Sequence, residues 1–166
     1  FLDPLLPNPA LRVVLSGAGT SAYIGRCLAP ALSLALNRRV EAVPTTDVVS
    51  GPRQRLPPDV PTLLVSFGPS GNSPESVATV DLAEQALAHV HHLIITCSAD
   101  GALARRAGSL RSAHVIVLPD AVNDRGFAMT SSFTSMLLTA ALAFGVVRSD
   151  AVESIARTAE MLLPKV

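Results

Sequence analysis

The chain has 166 residues, enough for one domain with a full hydrophobic core. Hydrophobic residues make up 49% and charged ones 16%, and Lys plus Arg equals Asp plus Glu at 13 each, so there is no basic excess to neutralise a nucleic-acid backbone. The longest apolar run, Met136–Val147, falls short of the roughly 20 residues a membrane-crossing helix needs, and the N-terminus lacks a secretory pattern.

Residues 1–9 are Pro-rich and read as an incoming connector. Leu11–Ser16 (LRVVLS) is apolar and β-branched and stops at Gly17, as a buried strand does. Gly17-Ala18-Gly19-Thr20-Ser21 follows as a tight loop. From Ala22 to Leu36, Ile24, Leu28, Leu32 and Leu36 form one helical stripe, with a kink expected at Pro30. Val40–Val43 is a short strand ending at Pro44-Thr45-Thr46-Asp47. Gly51–Pro61, with four prolines, reads as an irregular loop. Thr62–Phe67 (TLLVSF) is the clearest buried strand, and Gly68-Pro69-Ser70-Gly71-Asn72-Ser73 is a second Gly/Ser loop. Pro74 opens a helix to about His89, with Ser73 as N-cap.

His92–Cys97 is the next strand, Gly101–Ala107 a short helix and Ala113–Leu118 a fifth strand. The loop Pro119–Met129 leads into a strongly apolar helix, Thr130–Val147, expected at a subunit interface or beneath the last helix. That last helix, Ala151–Leu163, carries Val152, Ile155, Ala159 and Leu162 or Leu163 on one stripe. Cys27 and Cys97 form neither a CxxC pair nor a zinc pattern and read as core thiols, which fits a reducing cytoplasm.

Strands alternating with helices predict an α/β fold with a parallel sheet covered on both faces. In the flavodoxin-like order 2-1-3-4-5, strand order reverses between strands one and three, and ligands bind beyond strand ends at such a reversal. The two Gly/Ser loops follow those two strands. Helix N-termini, glycine-lined backbone and hydroxyl donors together suit a phosphate. The candidates are Gly19, Thr20 and Ser21 from the first loop and Ser70, Gly71, Asn72 and Ser73 from the second. Taken singly, Ser21 and Ser73 are equally well explained as helix caps, and Gly17 and Gly19 as turn residues. Gly17–Ala22 also fits the dinucleotide pattern GxGxxA, but Glu41 comes too early and Asp47 too late for the ribose-binding acid. No GxxxxGK[ST] motif is present.

With these motifs, GAGTSAYIG (17–25) and SFGPSGNSPES (66–76), together with PTTDVVS (44–50), ITCSADGALA (95–104) and NDRGFAMTSSFTSM (123–136), the chain resembles sugar isomerase (SIS) domains. Within them it is similar to the first SIS domain of bacterial enzymes of the galactosamine 6-phosphate deaminase and tagatose 6-phosphate isomerase type. The resemblance implies a three-layer αβα fold with a five-stranded parallel sheet. It also implies a phosphate held by Ser21, Ser70 and Ser73, and a sugar contacted by Phe127 and Thr130. Gly68 stands where many SIS domains carry serine, and Pro69 where this subgroup commonly has arginine, so two anion contacts are missing.

Residues 1–166 then read as one SIS domain, entered by the connector 1–10, and as the first half of a two-domain protein. The resemblance places the glutamate base and ring-opening histidine in the second domain. Glu75 is the weak local candidate for a base, its alternative being to complement the helix dipole. His89, His91 and His92 read as a solvated end rather than a metal or catalytic group, and His114 has no assigned part. Asp124-Arg125 is either an ion pair ordering its loop or a ligand contact. The expected partners are a phosphorylated sugar and a second SIS domain or a dimer mate, with no nucleic acid, membrane, metal or cofactor, in the cytoplasm. The alternative function is a non-catalytic sugar-phosphate sensor, and whether the chain alone is an enzyme stays open.

Overall fold

A computed structural model describes residues 1–126 and 128–165, the side chain of Lys165 apart. Five strands, β1 (Arg12–Gly17), β2 (Val40–Ala42), β3 (Thr62–Gly68), β4 (Val90–Thr96) and β5 (Ala113–Val117), form one sheet. Its order is β2-β1-β3-β4-β5, and every neighbouring pair is parallel. The central strand β3 is buried along its whole length, because a parallel strand roofed by helices on both faces has no wet side.

Side-chain alternation divides the core in two. Val13, Leu15, Leu63, Val65, Phe67, Leu93 and Ile95 face α1 (Thr20–Ala35) and α6 (Ser131–Ala143). Val14, Leu64 and Ile94 face α2 (Thr45–Ser50), α4 (Pro74–Ala86) and α5 (Ala102–Ala107). This is the three-layer arrangement expected, with the reversal of strand order between β1 and β3.

Several elements depart from expectation. The segment after Pro44, to which the sequence assigned no element, is the helix α2, seated by buried Thr45 and Val48. The Pro-rich stretch after Gly51 contains the one-turn helix α3 (Pro52–Arg55), and Leu56 behind it is 1% exposed. α1 begins at Thr20, two residues ahead of the expected Ala22, and contains Pro30. α4 stops at Ala86, and β4 begins at Val90, which pairs with Thr62.

α6 ends at Ala143, short of Val147, because Gly145 takes φ +71°. The Val146 N–H then bonds Ala141 O at 2.8 Å and the Gly145 N–H bonds Leu142 O at 3.0 Å, a Schellman closure. The buried face of α6 packs on α1 and the sheet, not on α7 (Ser149–Leu162), none of whose residues is buried. Cys97 is buried, but Cys27 is exposed on α1, contrary to the reading of both as core thiols. The connector is docked: Leu2, Leu5 and Leu6 rest on the core, and Arg38 donates to Leu6 O, Asn8 O and Leu11 O. Among the described residues no helix is long and apolar enough to cross a membrane.

Candidate functional site

The first loop is shaped by glycine. A Cβ on Gly17 would lie 2.7 Å from the Ser21 backbone carbon, so only a residue without one lets α1 turn back onto the end of β1. Gly19, at φ +53°, occupies the left-handed region before the helix. This tight turn leaves Ser21 buried and Thr20 exposed at the carboxyl edge of the sheet.

The second loop is held from behind by the segment that follows β4. The Pro69 carbonyl accepts from the Cys97 N–H at 2.9 Å and from Thr96 Oγ1 at 3.2 Å. The Gly71 carbonyl accepts from the Leu103 N–H at 2.9 Å, with Gly71 itself at φ +64°. Asn72 Oδ1 accepts from the Ala102 N–H at 2.9 Å and so closes the start of α5. Ser73 stands at the N-cap position of α4, yet its hydroxyl makes no capping bond and donates instead to Ser76 Oγ at 2.5 Å.

The two loops meet. A pocket of about 80 Å³ is bordered by Ser21, Ser70, Gly71, Ser73 and Ser76, with Ala18, Phe67, Gly68 and Pro69. Ala18, Ser21, Pro69 and Ser70 also border a chamber of about 510 Å³, whose remaining walls are Thr20, Asn123, Asp124, Gly126 and Met129. The three serines singled out in the sequence therefore surround one concavity at the switch point. Among the described residues no lysine or arginine lines either space.

Among the described residues Asp124 is the single charged one on these walls. Its Oδ1 accepts from Thr130 Oγ1 and the Ser131 N–H, both at 3.0 Å. Its Oδ2 accepts from the N–H groups of Thr130 (3.1 Å) and Ser132 (3.0 Å) and from Ser132 Oγ (2.5 Å). The Ser132 hydroxyl above all, then the Ser132 and Ser131 amides and the Thr130 hydroxyl, hold this carboxyl far below the usual carboxylate range against the opposing effect of desolvation. Nearby Cys97 is pushed up by burial and by the charge on Asp124, so its thiol stays protonated at neutral pH.

Other expected residues lie elsewhere. Gly19 and Asn72 border neither space, and the Asn72 side-chain oxygen is engaged by α5. Thr130 also lies off both walls, its hydroxyl bound to Asp124. Phe127 is outside the described residues. Glu75 sits in the first turn of α4 and lines neither space. His91 and His92 lie toward the amino end of β4, away from the loops, with His92 Nε2 3.2 Å from Glu84 Oε1. Among the described residues no His, Cys, Asp or Glu cluster could hold a metal ion.

Sequence reasoning left Asp124 undecided and missed Asn123, Met129 and Ser76. The one available signal for Asp124 was an acid a few residues ahead of a Thr-Ser-Ser helix start. A further cleft of about 590 Å³ joins the end of α6 to the start of α7, but it lies at the far end of α6 from the switch point, and its Arg148 is tied to Asp150.

The architecture is that of a doubly wound α/β domain, with two hydroxyl-bearing loops bordering one concavity at the switch point of its parallel sheet. The model of the SIS domain matches residues 8–145, and the chain belongs to that family. A Streptomyces coelicolor protein described as a candidate D-galactosamine-6-phosphate deaminase AgaS is 57% identical over 164 residues, covering 98% of this chain and 43% of the relative. The D-galactosamine-6-phosphate deaminase AgaS of Escherichia coli O157:H7 is 49% identical over 144 residues, 87% of this chain and 38% of its own length. The crystal structure of tagatose-6-phosphate ketose/aldose isomerase from Escherichia coli superposes with a TM-score of 0.83 at 49% identity, covering 86% of this chain and 39% of that one. The chain thus spans roughly two fifths of the length of these relatives.

Proposed function

We propose that this chain is the sugar-phosphate-binding SIS domain of a deaminase or isomerase acting on galactosamine 6-phosphate or tagatose 6-phosphate. The observation that carries the reading is the shared border of Ser21, Ser70 and Ser73 on one small pocket that adjoins a larger chamber. A phosphate monoester in the small pocket meets hydroxyl donors and the N-terminal ends of α1 and α4, whose partial positive charge suits an anion. The sugar then extends toward Thr20, Asn123 and Met129. Neutral donors take the place of guanidinium groups, in keeping with Pro69 at the position where arginine was expected.

Aldose–ketose chemistry needs a base to carry a proton between adjacent carbons and an acid to open the ring. Glu75 and the histidines are off the chamber walls, and the Asp124 oxygens are already occupied. The acid and base are therefore assigned to a second SIS domain or a partner subunit, in line with the greater length of the relatives. The same lack of a free ionisable side chain on the walls also favours a second reading, a sensor that binds without turnover.

Isothermal titration with galactosamine 6-phosphate, tagatose 6-phosphate and their unphosphorylated forms tests the proposal. Heat is expected from the phosphorylated sugars alone. An equal response to both kinds removes the phosphate site. If the longer parent protein binds but converts neither sugar, the sensor reading replaces the enzymatic one.

A further inference from the structure

We propose that Asp124 is a positioning residue that fixes the outer wall of the sugar chamber, rather than a group that binds the sugar. A carboxylate offers about four lone-pair sites on its two oxygens. Five donors already converge on Asp124, three from backbone N–H groups and two from hydroxyls. Little acceptor capacity is left for a sugar hydroxyl or an ammonium group.

The geometry gives those bonds a purpose. The donors belong to Thr130, Ser131 and Ser132, the N-cap and first turn of α6, where backbone N–H groups lack helical partners. Asp124 reaches them from six to eight residues upstream, so one carboxylate pins both ends of the 124–132 segment. Gly126 and Met129, between those ends, and Asn123, just before them, are chamber walls. Ser132, completely buried in the first turn of α6, anchors the assembly to the core. Asp124 does not border the small pocket between the Ser/Gly loops, so its effect falls on the sugar and not on the phosphate.

The inference rests on the chamber being a sugar-phosphate site, and the two ideas separate in one set of measurements on Asp124→Asn. Electrostatics alone predicts tighter binding of a sugar phosphate once a negative charge leaves the wall. A positioning role predicts the opposite sign, a loss of about tenfold in galactosamine 6-phosphate affinity, on the scale of one or two charged hydrogen bonds. Inorganic phosphate affinity is expected to stay level or rise.

A ligand-independent arm uses trypsin at Arg125, an exposed residue of the same segment. Cleavage there is expected to rise about tenfold, while cleavage at Arg157 on α7 holds constant. Unchanged cleavage at Arg125, or tighter sugar-phosphate binding, overturns the positioning role. Raised cleavage at Arg125 in a chain whose unmodified form binds no sugar phosphate supports the role in fixing the wall and sinks the functional reading instead. Should the Asn variant fail to fold, Ser132→Ala deletes one hydroxyl donor, keeps the carboxylate and carries the same test at about threefold amplitude.

Discussion

A methyl group on Gly101 would run into the carbonyl oxygen of Ser70. The obstructing atom is backbone and the methyl carbon has no rotatable bond, so no side chain can swing aside to relieve the contact. Gly101→Ala is expected to cost about 1–3 kcal/mol of stability, the range for forcing extra volume into packed structure. It should also displace Ser70 and weaken phosphorylated-sugar binding, which urea denaturation and calorimetry read separately. Gly126→Ala is the matched control, because a Cβ there meets nothing within 4 Å. Its stability should stay within about 0.5 kcal/mol of the unmodified chain. On the ligand side, Ser21→Ala and Ser70→Ala each remove one hydroxyl from the small pocket. Each should reduce affinity for a sugar phosphate about tenfold, as expected for one hydrogen bond to a charged group. A variant that binds as tightly as the parent places the anion elsewhere.

Helices α6 and α7 differ as sequence patterns, one strongly apolar and the other charged with a single apolar stripe, and they behave differently as elements. Met136 on α6 is 1% exposed and reaches the cluster shared by α1 and the sheet, whereas Ile155 on α7 is 49% exposed. Met136→Ala should therefore cost about 2–5 kcal/mol in chemical denaturation, the range for a core truncation, and Ile155→Ser about 0.5 kcal/mol or less.

The same contrast marks what a sequence discloses. The five strands were legible because parallel strands buried on both faces are written as short unbroken apolar runs. The two ligand loops were legible because glycine and serine cluster where those runs end. α2 was not, since six residues with one buried aliphatic side chain, Val48, make no periodic signal. The bond from the Ala102 N–H to Asn72 Oδ1 was not legible, because it spans 30 residues. Asp124 stayed ambiguous for a related reason, because its donors follow it across a loop rather than in the usual capping spacing.

At the scale of the whole molecule, acid sensitivity between pH 8 and pH 4 is set by a group of ionisable residues away from the site. His92 is fully buried, and burial, with smaller effects of His91 and Arg106, pushes its basicity down against the opposing pull of Glu84. With Nε2 turned to Glu84, its Nδ1 is buried without a partner, so a proton added there would have no acceptor. His91 is depressed as well, by its own burial and by His89. The unfolded chain takes up these protons as pH falls through 6.5, while the folded chain holds out to lower pH. Over that interval the unfolded state binds more protons, so stability is fully present above about pH 6.5 and declines below it. Glu41 is held low by Arg12, and Glu84, despite its burial, by Arg111 and His92. These carboxylates are ionised in the folded chain below the pH at which they would protonate in the unfolded one, which extends the loss below 4.5. Urea midpoints taken from pH 8 to pH 4 should be level at first, then fall in two stages. In His92→Gln the first stage should shrink, with His91 supplying the remainder. An unaltered first stage in that variant would assign the acid sensitivity to another group.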